Sequence, residues 1–141
     1  MGQKVNPIGL RLGISRTWNS KWFAGKDYAS HLKQDLDIQK FVKARLKHAA
    51  ISKIEVERTA KKTKVNIFSA RPGIIIGRKG DEVERLKNEL SKLNPHDVVI
   101  NIKEIKRPEI DATLIAENIA SQLERRIAYR RAVKRSIQAA M

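Results

Sequence analysis

The sequence predicts an α+β fold ordered helix, strand, strand, short helix, helix, strand, followed by a C-terminal helical segment. Three observations carry that prediction. Ile51 to Arg58, Lys64 to Ala70 and Val98 to Ile105 alternate apolar and polar residues, the period of a half-buried strand. Val83, Leu86, Leu90 and Leu93 are spaced by three and four, one apolar stripe of a helix. Beyond Lys106-Arg107-Pro108 the pattern is helical to the end, with Ile115, Ile119, Leu123 and Ile127 at four-residue spacing.

Composition narrows the partners. The chain has 141 residues, enough for one domain or one and a half with a modest core. Lys and Arg number 30 against 15 acids, and the net charge of +15 points to a polyanion. At 41% hydrophobic residues, most of the chain folds instead of forming a basic tail. The absence of cysteine excludes disulfides, thiolate zinc sites and a cysteine nucleophile. No run reaches the roughly 18 apolar residues of a membrane span. Asn6 stands where a myristoylation signal requires Ser or Thr, and the basic start lacks a signal peptide's apolar stretch.

Residues 1–27 read as a basic arm. Pro7, Gly9, Gly13 and Gly25 interrupt any periodicity, and Lys4, Arg11, Arg16, Lys21 and Lys26 meet no acid before Asp27. Trp18, Trp22 and Phe23 would either stack on bases beside those cations or pin the arm to the folded domain. Pinning is the preferred reading, since aromatic rings more often serve packing. Asp27 then caps a helix to about Ala50, with Leu32, Leu36, Ile38, Phe41, Val42 and Leu46 on its apolar face and a bend expected near Asp35 and Asp37. Thr59 to Thr63 forms the turn between the first two strands, and Asn94-Pro95 stops the helix before the third.

Arg71 to Leu93 carries the functional signal. Arg71-Pro72-Gly73-Ile74-Ile75-Ile76 is a short apolar helical turn, and Gly77-Arg78-Lys79-Gly80 is a two-glycine loop. The helix that follows opens on Asp81 and Glu82, acids suited to the positive end of its dipole. Without side chains at Gly77 and Gly80, a sugar-phosphate backbone can approach the loop main chain, and glycine permits the positive φ of a tight turn. Amide hydrogens at the helix start and the cations Arg78 and Lys79 would meet the phosphate there. Ile76-Gly77-Arg78-Lys79-Gly80-Asp81-Glu82-Val83 resembles the Gly-X-X-Gly segment of KH domains, which clamps single-stranded nucleic acid. The element order is similar to the type II KH fold, a three-stranded mixed sheet with helices on one face. That resemblance covers roughly residues 28–106 and implies RNA binding by the loop.

In the C-terminal segment, residues 107–141, the apolar stripe rotates after Ile127. At about 100° per residue, Ala128, Tyr129, Ala132 and Val133 share a different side, so two helices broken near Ile127 or Ala128 are expected. Glu124 to Arg135 holds six cations and one acid. Arg126, Arg130, Arg131, Lys134 and Arg135 are expected over the opposite half of the second helix, where like charges at one-turn spacing repel unless a polyanion offsets them, which favours nucleic-acid contact over a membrane surface.

The opening Met-Gly-Gln-Lys-Val-Asn-Pro-Ile-Gly-Leu-Arg-Leu-Gly-Ile, the Arg71 to Gly77 lead-in and Ser121-Gln122-Leu123-Glu124-Arg125-Arg126 together resemble the bacterial small-subunit ribosomal protein S-three family. The resemblance implies a cytoplasmic ribosomal protein that holds ribosomal RNA in the head of the small subunit through its arm (Lys4, Arg11, Arg16) and its loop. It implies that Arg130, Arg131 and Lys134 line the channel through which messenger RNA enters and help open structured messenger, beside neighbouring small-subunit proteins. It implies no cofactor. The family carries a second α/β domain, of which residues 108–141 would be the opening helices; their stripes then lack the sheet they cover, and the chain is expected to be truncated. The alternative is a non-ribosomal KH module for single-stranded RNA, although no phosphate-loop motif of an attached nucleotidase is present. An enzyme is disfavoured: His31, His48 and His96 are isolated, and the acids are scattered among lysines instead of being clustered for metal.

Overall fold

The structure, a computed structural model, describes residues 2–59, 62–77, 80–94 and 96–141. Asn6 accepts hydrogen bonds from the amides of Ile8 and Gly9 and so caps a single helical turn, α1 (Pro7–Arg11), that buries nothing. Strand β1 (Ser20–Lys21) leads to α2 (Tyr28–Arg45), a 3-10 turn at Lys47–Ala49, and the strands β2 (Ile51–Arg58) and β3 (Lys62–Ser69). Then come α3 (Pro72–Ile76), α4 (Asp81–Leu93), β4 (Asp97–Glu104), α5 (Ala112–Glu124) and α6 (Tyr129–Ala140).

The predicted strands and helices are present in the predicted order. The sheet has one strand more than the three expected, with order β1-β2-β3-β4: β1 runs parallel to β2, β2 antiparallel to β3, and β3 parallel to β4. The added strand comes from the arm, where two residues give no period to read. Thr59 N–H bonds to Lys62 O across the turn between β2 and β3; Ala60 and Lys61 at its tip, like Pro95 after α4, lie outside the described residues.

Register explains the core. Val56, Val65 and Ile100 stand side by side, as do Ile54, Ile67 and Ile102, so one sheet face is a continuous apolar surface. Ile38 and Val42 of α2, Ile75 of α3, and Leu86 and Leu90 of α4 cover it, with Phe41, Leu46 and Val83 at its margin. Burying one such side chain stabilises by roughly 1.5–3 kcal/mol. The opposite face is polar. Asn101 donates to Asn66, Asn66 donates to Glu57, and Lys53 and Lys103 lie over the Phe68 ring at 4.3 and 5.1 Å.

The helix after Asp27 departs from expectation in three ways. The Asp27 side chain makes no capping bond; instead Ser30 Oγ donates to Asp27 O. The helix ends at Arg45 and tightens into the 3-10 turn, with Ala50 in a left-handed conformation, so Ala49 packs in the core before β2 starts. Leu36 is exposed, while Asp35, expected to weaken the helix, is fully buried.

The C-terminal pair separates as the rotating stripe predicts, at residues 125–128, with Arg126 at φ +60. Asp111 caps α5 through the amides of Thr113 and Leu114, and its other oxygen accepts from Ser52 Oγ at 2.5 Å, tying the pair to β2. Of the expected α6 stripe, Ala132 is buried whereas Tyr129 and Val133 are exposed.

Candidate nucleic-acid interface

Three cationic regions were predicted, and each is positioned differently. The glycine loop sits between α3 and α4. Ser69 Oγ, buried at the end of β3, donates to Ala49 O and accepts from Arg71 N–H, which fixes where α3 begins. Ile75 inserts into the core, and Gly77 N–H closes the turn onto Gly73 O at 3.0 Å. At its far end α4 is held by Asn94, whose amide donates to buried Thr63 Oγ1. The loop is therefore slung between two helices seated on one core.

The two glycines are needed for different reasons. Gly77 has φ +69 and ψ −170, a region that essentially only glycine adopts. A Cβ there would lie 2.7 Å from Glu82 Cγ and 2.9 Å from Glu82 Cβ, so this face of Gly77 is closed by the chain's own helix. Gly80 has φ +90 and ψ 1, and a Cβ there would meet nothing within 4 Å. Only Gly80 leaves its side-chain direction free for an approaching strand. The first turn of α4 also carries Asp81, Glu82 and Glu84, which already offset the helix dipole. Arg78 and Lys79, the loop cations expected from the sequence to meet phosphate, lie outside the described residues.

The arm is docked by a polar network. Asn19 O accepts from Val56 N–H at 2.7 Å, and Lys21 pairs with Glu55 at 3.1 Å. Trp22 Nε1 donates to Asp35 Oδ2 at 2.6 Å, while Arg58 Nε donates to Asp35 Oδ1 at 2.8 Å and its Nη2 forms an ion pair with the same oxygen at 2.6 Å. Trp22 also packs against the rings of Tyr28 and His31. Trp22 thus pins the arm, as preferred from the sequence, but Trp18 and Phe23 are exposed, Phe23 at 98%. Asp35 and Arg58 were missed as positioning residues. An aspartate within an apolar helix pattern was a signal of a buried partner. Lys4, Arg11 and Arg16 are exposed, and the Arg11 guanidinium donates to Pro7 O.

The Glu55 carboxyl has a shifted pKa. Burial works to raise its pKa, but hydrogen bonds from Lys53 at 2.7 Å and Lys21 at 3.1 Å outweigh that, and the net pKa is lowered.

Helix α6 presents Arg130, Arg131, Lys134 and Arg135 to solvent. Among the described residues none of them makes an ion pair; Arg130 folds onto its neighbour Tyr129, its Nε 3.0 Å from the hydroxyl. Like charges held one turn apart repel unless an anion offsets them. These cations and the glycine loop belong to separate elements.

The sheet, the three helices on its apolar face and the glycine loop define a KH-domain protein. The family profile for the KH domain matches residues 37–110. Small ribosomal subunit protein uS3 of Geotalea uraniireducens is 60% identical over 141 residues, 100% of this chain and 67% of that protein. The proteins of the same name from Citrifermentans bemidjiense and Gluconobacter oxydans are 62% and 57% identical, over 97% and 100% of this chain and 65% and 63% of theirs. The chain belongs to the uS3 family, which is not a family of enzymes. It spans about two thirds of the length of these curated relatives.

Proposed function

We propose that this chain is an RNA-binding constituent of the small ribosomal subunit, acting in the cytoplasm with ribosomal RNA and neighbouring ribosomal proteins as partners. The docked arm, with Lys4, Arg11 and Arg16, and the loop Gly77, Arg78, Lys79 and Gly80 hold ribosomal RNA in the head. Arg130, Arg131 and Lys134 contact messenger where it enters and help open its structure. The observation that carries the reading is the cationic face of α6, exposed and without ion pairs among the described residues. The names of the relatives support the ribosomal setting.

The mechanism is electrostatic and steric. Phosphate contacts hold a strand without reading its sequence. Cations fixed on a helix would retain the single strand as messenger is drawn past, favouring it over the duplex without a chemical step.

The test replaces Arg130, Arg131 and Lys134 with glutamine in ribosomes. Passage through structured messenger should fall by more than subunit assembly, and the salt slope of RNA binding should flatten by up to about three contacts. Equal loss of passage and assembly would make these residues architectural.

A further inference from the structure

We propose that the groove between α2 and α4 is a docking site for a protein segment that presents an apolar side chain flanked by carboxylates. This goes beyond the RNA reading and does not depend on it. The groove has a volume of about 430 Å³ and is lined by Phe41 and Arg45 from α2 and by Glu89, Lys92 and Leu93 from α4. Its floor is apolar. Leu93 continues the stripe of Leu86 and Leu90, but the core ends before it and leaves it 46% exposed. Phe41 is half-buried beside it.

The rim selects the occupant by charge. Glu89 Oε2 is out of solvent and accepts no hydrogen bond, though Arg45 Nε stands 3.5 Å from it. That oxygen faces Arg45, while the Glu89 side chain as a whole is 38% exposed. The Arg45 side chain is 48% exposed and leaves guanidinium donors for a second carboxylate. Lys92, exposed on the opposite rim, makes no ion pair among the described residues. Two cations against one acid leave a net positive rim around an apolar floor, which fits an acidic and apolar peptide. A phosphate backbone would find the charge but would leave Phe41 and Leu93 uncovered. The groove also lies about 12 to 18 Å along α4 from the glycine loop, so both can be occupied at once.

The test follows amide shifts of the full 141-residue chain by nuclear magnetic resonance. The probes are the peptide acetyl-Asp-Leu-Phe-Glu-amide, the same peptide with lysine at both acidic positions, and oligouridine. Shifts at Phe41, Arg45, Glu89 and Leu93 are expected with the acidic peptide and not with the lysine peptide. The double variant Arg45→Glu, Lys92→Glu should weaken that binding about tenfold or more. Three outcomes overturn the proposal: no shift with the acidic peptide, equal shifts with the lysine peptide, or oligouridine moving these amides instead. The last would make the groove part of the RNA surface. Comparing the two peptides on the unaltered chain keeps the result decisive should the variant fail to fold.

Discussion

The KH body and the C-terminal pair are built from similar helices on one chain, yet they are held by different means. In the body, α2, α3 and α4 close over a sheet face whose Val65, Ile67 and Val98 have no solvent exposure. In the pair, Leu114 and Ala132 are the buried apolar residues, while Ile110, Leu123, Tyr129, Val133 and Ile137 are exposed. The Ser52 to Asp111 hydrogen bond ties the pair to β2. Apolar periodicity is therefore not the same thing as a core: a stripe stabilises only where a second surface covers it.

The most damaging test of the body is at its buried ion pair. Replacing Arg58 with alanine strands the Asp35 carboxylate, whose side chain is fully buried, and should cost about 3–5 kcal/mol in urea denaturation. Replacing both residues with apolar ones of similar size should cost much less. If the single and double variants lose the same amount, the network holds only the arm and not the body.

Matched leucine truncations read the contrast directly. Leu90→Ala in the body should lose about 2–5 kcal/mol, whereas Leu123→Ala on α5 should stay within about 0.5 kcal/mol. Equal losses would mean that the stripe of the pair is covered in solution.

A smaller effect separates the two loop glycines. Gly77→Asn should destabilise by about 1–3 kcal/mol, since both its backbone region and its contact with Glu82 exclude a side chain. Gly80→Asn should cost less than about 1 kcal/mol, because asparagine tolerates left-handed backbone and nothing stands in its way. Thermal melts of the two variants give the comparison.

The smallest expected effect is in the acid response. Since the pKa of Glu55 is lowered on folding, its stabilisation is complete above the ordinary carboxylate range and is lost as pH falls through the lowered value. Glu55→Gln should therefore flatten the decline in stability between about pH 6 and about pH 3. A variant with an unchanged acid profile would assign the decline to other carboxylates.

Much of this architecture was legible beforehand. The spans of β2 and β4, the two halves around the glycine loop and the break near Ile127 all follow from apolar spacing, which local geometry obeys. Spacing does not reveal partners distant in sequence. Strand β1 is two residues long and exists because β2 has a free edge, so no pattern in Ser20-Lys21 announces it. Asp35 reads as a poor helix former until Arg58 and Trp22 are brought to it by folding. The cations of α6 were visible as charge, and the structure adds that no described acid neutralises them. For the loop, sequence gave the two glycines equal roles, whereas Gly77 is closed by Glu82 and Gly80 is open.

The short pairing of β1 with β2 also bears on self-association. An uncovered sheet border is a template onto which another molecule can add its own main chain. By laying Ser20 and Lys21 beside Val56 and Glu57, the arm interrupts that template with a charged side chain and a ready-made neighbour. A molecule stripped of its first two dozen residues would lose that guard and be prone to aggregate along β2.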